Sequence, residues 1–369
     1  MKSEKSIIRR WLGCIVMLLL LVACADEGGD ELQGNRLQLS SVTRADDGTI
    51  ERLTNGHIKL FVTTKTGAVI EGIYNNIDGS GWGESAPITE NTQYYIYGYM
   101  PNDGTVVTGG SSLTDQDSEE PDLDYSKGAN LTLGGLPVFT QEDICVVVGV
   151  QRITERTETP ATAGIFDYPA GLSDQNYVNL LMAHLYVKLQ LQFNVESEYY
   201  ALRRIHLKSV KLKSKYGEAV NATLKLRKGV EDLTEQNVGY VSAGAGVKEV
   251  SLLTYDGDNP DPELELVEAK DGVEPTMLTK TVNCPHCLFE IIERADGTKD
   301  TYLTIESTYD VYDINGNLIR ENCTATNKVW AQDRIPGTHK KLTLTVAPTY
   351  LYMLSEPDLD NPTIEVKSE

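Results

Sequence analysis

Apolar residues at every second position run through most of this chain, and this pattern constrains its fold more than any other feature. The segment AHLYVKLQLQFNV places apolar side chains at Leu185, Val187, Leu189, Leu191 and Phe193. Because successive side chains of an extended chain point to opposite faces, a period of two predicts β-strands. HIKLFVTT repeats the pattern, and TQYYIYGYM and DICVVVGVQ are further β-rich runs. The chain is therefore predicted to be all-β.

Departures from the alternation predict turns and irregularities in the strands. In ALRRIHLKSVKLK the alternation slips by one residue between Leu207 and Val210, which predicts a β-bulge. Asn315-Gly316 lies between two alternating arms, and this dipeptide predicts a hairpin with a type I′ turn. The pattern of DQNYVNLLMA is the only one that suggests a helix.

The length of the chain and one shift in composition predict two domains. With 369 residues the chain can build more than one core. AGIFDYPAGLSDQ has the Gly, Pro and Asp content of a boundary. We expect two antiparallel β-sandwich domains of the transthyretin-like or Greek-key kind, over residues 45–172 and 173–369. The polar, acidic stretch 102–135 is predicted to be a surface loop for the most part.

The first 24 residues have the pattern of a bacterial lipoprotein signal peptide. Four cations precede an apolar run from Trp11 to Val22, which is shorter than the roughly 20 residues of a membrane-spanning helix. The run ends in Leu21-Val22-Ala23-Cys24, a match to the lipobox. Cys24 is thus the predicted lipidation site, with an ordinary cleavable signal peptide as the alternative. Residues 25–44 comprise an acidic, Gly-rich tether and one short strand.

The charge of the chain excludes some classes of partner. There are 33 Lys and Arg against 54 Asp and Glu, and the formal net charge is −21. A nucleic-acid partner is disfavoured because phosphate binding needs clustered cations. Peripheral binding to anionic lipid is disfavoured for the same reason. Solvation outside the cell accounts for the acidic surface.

Catalytic motifs do not emerge from the sequence. It contains no G-x-S-x-G, P-loop, dinucleotide fingerprint or H-E-x-x-H pattern. His57, His184 and His206 fall in strand patterns and are interpreted as sheet residues, and Cys145 in DICVVVGV as a buried hydrophobe. We therefore predict a protein that is not an enzyme and that has no cofactor and no metal site.

Cys284-Pro285-His286-Cys287 is the one motif with a chemical signature. A redox pair would need a strand that leads into a helix, and the flanking segments are β-like. A zinc site built from Cys284, His286, Cys287 and the distant Cys323 lacks a second C-x-x-C or a spaced His pair. A disulfide suits an oxidising compartment, and it can close locally between Cys284 and Cys287 or link the motif to Cys323.

A short strand pattern lies directly behind the tether, in NRLQLSSVTRADDG. Leu37, Leu39 and Val42 with interleaved polar residues predict one strand. Arg44 follows it as an isolated cation ahead of two aspartates and a glycine. A strand beside a protease-sensitive basic residue suggests a segment made to be removed.

The order of these pieces resembles the fimbrillin family of Bacteroidales, the FimA-like and Mfa-like subunits of type V pili. The resemblance is carried by the lipobox at Cys24 and the strand LQLSSVTR that ends in Arg44. It is carried further along by MAHLYVKLQLQF, PGTHKKLTLTVAPTYLYM and LDNPTIEV. These pieces span nearly the whole chain.

The resemblance implies a route of assembly. The precursor would reach the outer-membrane surface as a lipoprotein, and an Arg-specific protease would cut between Arg44 and Ala45. Removal of the strand with Leu37, Leu39 and Val42 would open an apolar groove. A C-terminal strand of another subunit, with Ile364 and Val366, would fill it by β-augmentation. The expected partners are other pilus subunits and a receptor or glycan on a host or bacterial surface.

Several alternatives stay open at this point. Arg36 and Arg52 are nearby candidates for the cut, and shaft, tip and anchor subunits share the pattern, although a usable Arg44 favours a shaft or tip subunit. The strand from Tyr350 to Met353 could also contribute to the donor. A surface glycan-binding lipoprotein is the rival function, with TQYYIYGYM and Trp82 as its aromatic platform. A thiol oxidoreductase at the Cys-Pro-His-Cys motif is the third.

Overall fold

A computed structural model describes most of the chain. The described residues are 36–46, 49–76, 81–83, 86–89, 92–115, 124–153, 168–169, 177–227, 233, 237–255, 263–278, 285–330, 339–350 and 357–368. The predicted signal peptide, the tether and Cys24 lie outside these residues, as does Cys284.

Most of the described residues lie in β-strands, so the predicted all-β fold class is confirmed. The N-terminal half contains β1 (Gln38–Asp46), β2 (Thr49–Leu53), β3 (Gly56–Thr63), β4 (Ile70–Asn76), β5 (Gln93–Met100), β6 (Ser111–Asp115), β7 (Gly128–Pro137), β8 (Phe139–Thr140), β9 (Cys145–Ile153), β10 (Tyr168–Pro169), β11 (Tyr177–His184) and β12 (Val187–Glu196). The C-terminal half contains β13 (Arg203–Ser214), β14 (Ala219–Arg227), β15 (Val238–Ser242), β16 (Lys248–Thr254), β17 (Leu264–Glu265), β18 (Glu268–Ala269), β19 (Thr276–Met277), β20 (His286–Cys287), β21 (Glu290–Glu293), β22 (Lys299–Asp313), β23 (Leu318–Trp330), β24 (His339–Tyr350) and β25 (Pro357–Ser368).

A single short helix, α1 (Ser197–Tyr200), occurs in the described part of the chain. Within that part, no helix has the length and apolar character needed to cross a membrane. The helical interpretation of DQNYVNLLMA is wrong, because residues 177–183 of this segment lie in β11. Val178, Leu180 and Met182 of β11 face one core cluster, and Ala183 packs in another. A strand buried on both faces loses the alternation that identifies a strand.

The strands form four sheets. Sheet I has the order β2-β1-β11-β9-β5-β3-β4, with β10 beside β5. Sheet II has the order β25-β24-β12-β20-β8, with β18 and β19 also on β12. Sheet III is built on β16-β13-β22-β21 and sheet IV on β15-β14-β7-β6. Antiparallel pairing dominates, and the two long exceptions are β1 with β11 and β12 with β24.

Two clusters of buried side chains form the core. The larger one extends over residues from sheets I to IV. The smaller one, called the plug core below, packs against one face of sheet I and consists of Leu37, Leu39, Val42, Ile58, Leu60, Val62, Tyr74, Ala86, Ile88, Tyr94, Ile96, Cys145, Val147, Val150, Val178, Leu180 and Met182. Sheet I therefore has apolar side chains on both faces.

The sheets draw on residues from both sides of the predicted domain boundary. β11, beyond residue 173, lies in sheet I between β1 and β9. Conversely, β7 pairs with β14 across sheet IV. The boundary at 172/173 remains a prediction.

The stretch 102–135 is more ordered than the predicted loop. It contributes β6 and most of β7, whose Leu113, Leu131 and Leu133 are buried in the larger core. The polar composition hid this alternation, because glycines and threonines separate the leucines. Residues 116–123 of the stretch lie outside the described residues.

The predicted bulge and hairpin are both confirmed, with one difference in the turn. The register of β13 against β22 shifts between Leu207 and Ser209. β22 and β23 form a hairpin around Asn315-Gly316. Gly316 has φ 82°, whereas among the described residues the only non-glycine with positive φ is Asn322. A type I′ turn needs positive φ at both central residues, so the turn is instead of the type in which a left-handed glycine closes a three-residue loop.

Candidate functional site

Strand β1 lies inside sheet I, not at its edge. It runs parallel to β11, from Gln38 opposite Tyr177 to Arg44 opposite Met182. On its other side it is antiparallel to β2, from Val42 opposite Leu53 onward. The second half of β1 is therefore paired on both sides, whereas its first half has only β11 as a strand partner.

A bulge brings Leu39 and Val42 of β1, and Leu37 directly before it, to a single face. Leu37 and Leu39 are two residues apart, but Val42 comes three residues later, which would place it on the opposite face of a regular strand. The register shifts between Leu39 and Ser41, which pair with the consecutive residues Val178 and Asn179. The extra residue shifts the alternation of side chains by one position and turns Val42 to the same face as the two leucines. All three side chains are therefore buried in the plug core.

The N-terminal end of β1 is held by a tyrosine that the sequence did not single out. The N–H of Leu37 donates to the carbonyl of Ala86 at 3.0 Å. The hydroxyl of Tyr74 donates to the carbonyl of Leu37 at 3.1 Å and accepts from the N–H of Ala86 at 2.9 Å. Tyr74 thus ties the strand to the segment at 86–88, a contact for which the local pattern around Tyr74 offers no signal.

Removal of β1 would expose a continuous apolar surface. Burying a Leu or Val side chain contributes about 1.5–3 kcal/mol, so Leu37, Leu39 and Val42 together hold β1 with about 5–9 kcal/mol before strand pairing is counted. Their loss would open the plug core along Val178 and Leu180. It would also leave the ladder groups of β11 without the partner that β1 provides.

The three candidate arginines differ in what a cut after each would release. Arg36 precedes the buried residues of β1 and forms an isolated bridge with Pro87, so a cut after it leaves the strand attached. Arg44 is opposite both Met182 and Glu51 in the ladders. Arg52 lies on β2, the terminal strand of sheet I. Cuts after Arg44 or Arg52 both free the strand, and a cut at Arg44 requires the end of β1 to separate first.

The predicted donor strand is confirmed as a strand, and it is docked on its own chain. β25 pairs antiparallel with β24, with Ile364 opposite Val346 and Val366 opposite Leu344. Ile364 is buried in the larger core. Tyr350 is the last residue of β24, and residues 351–356 lie outside the described residues.

A side-chain amide of β23 secures β25 at the residue that would insert into a partner. Nδ2 of Asn327 donates to the carbonyl of Ile364 at 2.6 Å. β25 occupies the end position of sheet II and has β24 as its strand partner. Donation of β25 to another subunit would therefore require this bond and the pairing with β24 to break.

The cysteines of the Cys-Pro-His-Cys motif are only partly described. Cys287 lies in β20 opposite Val187, and Cys323 lies in β23 opposite Tyr309. They belong to different sheets, and no disulfide joins the two in the described part of the chain. The link to Cys323 is thus not formed, and a local pairing of Cys287 with Cys284 remains a prediction.

The context of the motif also differs from that of a thiol oxidoreductase. β20 is a two-residue strand between β12 and β8, and no helix follows it in the described residues. Burial lowers the pKa of His286, whose Nδ1 donates to the carbonyl of Gln141 at 3.1 Å.

The proposed aromatic platform for glycan binding is wrong for the tyrosines of β5. Tyr94, Tyr95, Tyr97 and Tyr99 are all buried. Because β5 is an interior strand of sheet I, Tyr94 packs in the plug core and the other three pack in the larger core. Trp82 is partly buried against the plug core. The four buried tyrosine rings cannot present their faces to a sugar.

Comparisons with known proteins identify structural neighbours only. No protein-family model and no curated protein matches the sequence. A fimbrial protein from Bacteroides vulgatus ATCC 8482 is similar with a TM-score of 0.46 and 13% identity, over 91% of this chain and 99% of that chain.

Two structures from Porphyromonas gingivalis are similar at lower scores. They are the fimbrial anchor protein Mfa2, with a TM-score of 0.34, 8% identity and coverage of 91% and 98%, and a fimbrilin (fimA) from strain W83, with a TM-score of 0.33, 12% identity and coverage of 91% and 98%. These neighbours agree with the resemblance seen in the sequence.

Proposed function

We propose that this chain is a shaft or tip subunit of a type V-like pilus. It is exported as a lipoprotein through Cys24, activated by a cut after Arg44, and assembled by donor-strand exchange in the service of adhesion. The observation that carries the proposal is the burial of Leu39 and Val42 of β1, and of Leu37 directly before it, in the plug core.

The topology of sheet I supports removal of this strand with the sheet from β11 to β4 kept intact, although β2 would lose β1 as its strand partner. β1 is joined to the strands around it by parallel pairing with β11 and by the hairpin to β2. The rest of the sheet, from β11 through β9 and β5 to β3 and β4, is continuous without it. After the cut, β11 would become an edge that still carries an apolar face, which is the form of acceptor that β-augmentation uses.

The position of β25 supports its role as the donor. It is the last strand among the described residues, it lies at the end of its sheet, and its Ile364 is buried in a core. The donor and acceptor lie in different sheets, so an exchange between copies is head-to-tail, and such a contact propagates into a fibre. In the precursor, β11 is paired with β1 and β25 is paired with β24 of the same chain. This internal pairing keeps the precursor monomeric until it is cut.

The test is treatment of the purified chain with an Arg-specific protease, with the new N-terminus identified by mass spectrometry. Oligomers are then followed on a denaturing gel without boiling. We expect cleavage between Arg44 and Ala45, followed by a ladder of oligomers. Deletion of residues 361–369 should leave the cleavage intact and abolish the ladder.

Matched variants separate the three candidate sites. Arg44→Ala should block both cleavage and the ladder, whereas Arg36→Ala should change neither. If Arg52→Ala rather than Arg44→Ala blocks release of the strand, the site assignment moves to β2. A chain that is cut at Arg44 and stays monomeric overturns the proposal of strand exchange.

A further inference from the structure

Three side chains with metal-ligating atoms meet where β9 begins and β11 ends. Cys145 begins β9, and His184 ends β11 directly opposite it in the antiparallel ladder. Asp143 precedes Cys145 by two residues, and side chains two apart in an extended chain share a face. Strand periodicity and cross-strand register together therefore place Asp143, Cys145 and His184 on one side of sheet I.

The ligand atoms converge on one point. Sγ of Cys145 lies 3.7 Å from Nδ1 of His184 and 3.8 Å from Oδ2 of Asp143. The carboxylate of Asp143 contacts the same Nδ1, and one ligand atom from each residue lies within 4.8 Å of the other two. None of these residues belongs to the Cys-Pro-His-Cys motif.

Burial makes this cluster costly without a further partner. The side chains of His184 and Asp143 are only 9% and 10% exposed. Oδ1 of Asp143 and Nε2 of His184 are also buried without a hydrogen-bond partner in the described part of the chain, but they are not the atoms that approach Cys145. Buried charged groups are usually paired or bind a metal ion, so the convergence of a carboxylate, an imidazole and a thiol points to a bound cation.

The geometry does not suit a catalytic triad. In a Cys-His-Asp relay the thiol and the carboxylate contact different ring nitrogens of the histidine. Here both approach Nδ1 of His184. Convergence on one side of the ring is the arrangement of ligands around a shared ion.

We propose that Asp143, Cys145 and His184 form a binding site for Zn²⁺. Thiolate, imidazole and carboxylate are its preferred protein ligands, and bond lengths of about 2.1 Å to nitrogen or oxygen and about 2.3 Å to sulfur place tetrahedral ligand atoms about 3.6 Å apart. Both distances from Cys145 Sγ match this spacing. The carboxylate of Asp143 has only to move away from Nδ1 for the ion to enter.

Binding converts the thiol of Cys145 to a thiolate, and its proton passes to solvent. Three protein ligands leave one position of the tetrahedron for water. The ion would join the first residue of β9 to the last residue of β11, and β11 is also the strand that holds β1. The site would brace this strand whether or not β1 is removed, so the inference stands apart from the proposed function.

Co²⁺ is the probe for the site, because it takes the place of Zn²⁺ and a cobalt–thiolate bond has its own charge-transfer absorption. We expect the purified full chain to bind Co²⁺ in equimolar amount, to show that absorption, and to lose it when Zn²⁺ is added. Cys145→Ser should abolish the absorption, whereas Cys323→Ser, at a buried cysteine in sheet III, should retain it.

A second readout does not depend on the thiol. Zn²⁺ at about a hundredfold excess over its dissociation constant should raise the Tm by about 5 °C. His184→Gln should remove that rise in Tm, and His206→Gln should retain it. These two variants test the site even if Cys145→Ser does not fold. A chain that shows neither the absorption nor the rise, or whose Cys145→Ser variant keeps the absorption, overturns the site.

Discussion

The hydroxyl of Tyr74 donates a hydrogen bond to the carbonyl of Leu37 and accepts one from the N–H of Ala86. These two bonds connect the start of β1 to a segment beyond β4 and so hold the strand at the end opposite Arg44. Release of β1 from sheet I therefore depends on a residue that does not contact the predicted scissile bond.

Tyr74→Phe should weaken the attachment of β1 to sheet I, because it removes the hydroxyl and retains the packing of the aromatic ring. The change leaves the Leu37 carbonyl and the Ala86 N–H without this partner in a buried site, and such a loss costs about 1–3 kcal/mol. We expect a lower free energy of unfolding in urea and faster cleavage at Arg44. Tyr186→Phe is the control, since Tyr186 donates to Pro137 at 2.7 Å away from β1. Equal acceleration by both variants would contradict a specific role for Tyr74.

Leu39→Ala should destabilise the precursor and leave the assembled polymer unchanged. A cavity at a buried leucine costs about 2–5 kcal/mol, and Leu39 leaves with β1 when the chain is cut. Leu60→Ala removes a side chain of the same plug core that stays in the groove, so it should destabilise both forms. The measurements are urea unfolding of the precursor and the temperature at which the ladder dissociates. A lower dissociation temperature for Leu39→Ala would show that β1 remains in the polymer.

Asn327→Ala should speed assembly after cleavage. It removes the 2.6 Å hydrogen bond to the carbonyl of Ile364, so β25 separates from β24 more readily. The rate of ladder formation should rise, and the amides of β25 should exchange faster with deuterium. Asn130→Ala is the matched control, because its Nδ2 donates to the Asp115 carbonyl in sheet IV. A slower ladder for Asn327→Ala would contradict release of β25 as a step in assembly.

Asp313→Asn should weaken the β22–β23 hairpin in a pH-dependent way. Hydrogen bonds from Asn317 and Asn315 lower the pKa of Asp313 below its ordinary value of 3.8. The pKa of Asp313 is lower in the folded than in the unfolded state. The carboxylate therefore stabilises the fold at pH values above its unfolded-state pKa, and this stabilisation is lost as the pH falls through its folded-state pKa. The Tm of the wild type should exceed that of the variant at neutral pH, and the difference should disappear as the pH falls through the folded-state pKa of Asp313, which lies below 3.8. A difference that persists in acid would assign the effect to packing.

Local patterns predicted single strands well and their partners poorly. The alternation through Leu189 and Phe193 and the slip near Lys208 each correspond to what the structure contains. The pattern failed at β11, where apolar side chains lie on both faces and the alternation disappears. β5 was correctly predicted as a strand, but the exposure expected of its tyrosines was wrong, because both of its faces are buried. The pattern also failed at β6 and β7, where glycines and polar residues masked the leucines.

Some residues of the predicted site could likewise be recognised from the local sequence, and others could not. Leu37, Leu39 and Val42 were recognisable as one strand, because three apolar residues near a basic residue form a local signal. That they share a face follows only from the bulge at residue 40. Tyr74, and the meeting of Asp143 with His184, could not be predicted, because they depend on which strands are neighbours.

The sequence by itself determined that this chain is built of strands, where most of them lie, and that one strand reaches Arg44. Each of these properties depends on residues close together in the chain, since the period of two reflects the geometry of an extended backbone. The tertiary structure alone decided that β1 is parallel to β11, that β25 is docked on β24, and that Cys145 faces His184. Pairing joins residues far apart in the chain, and it is chosen by how whole faces of strands bury one another, which no short stretch of sequence encodes.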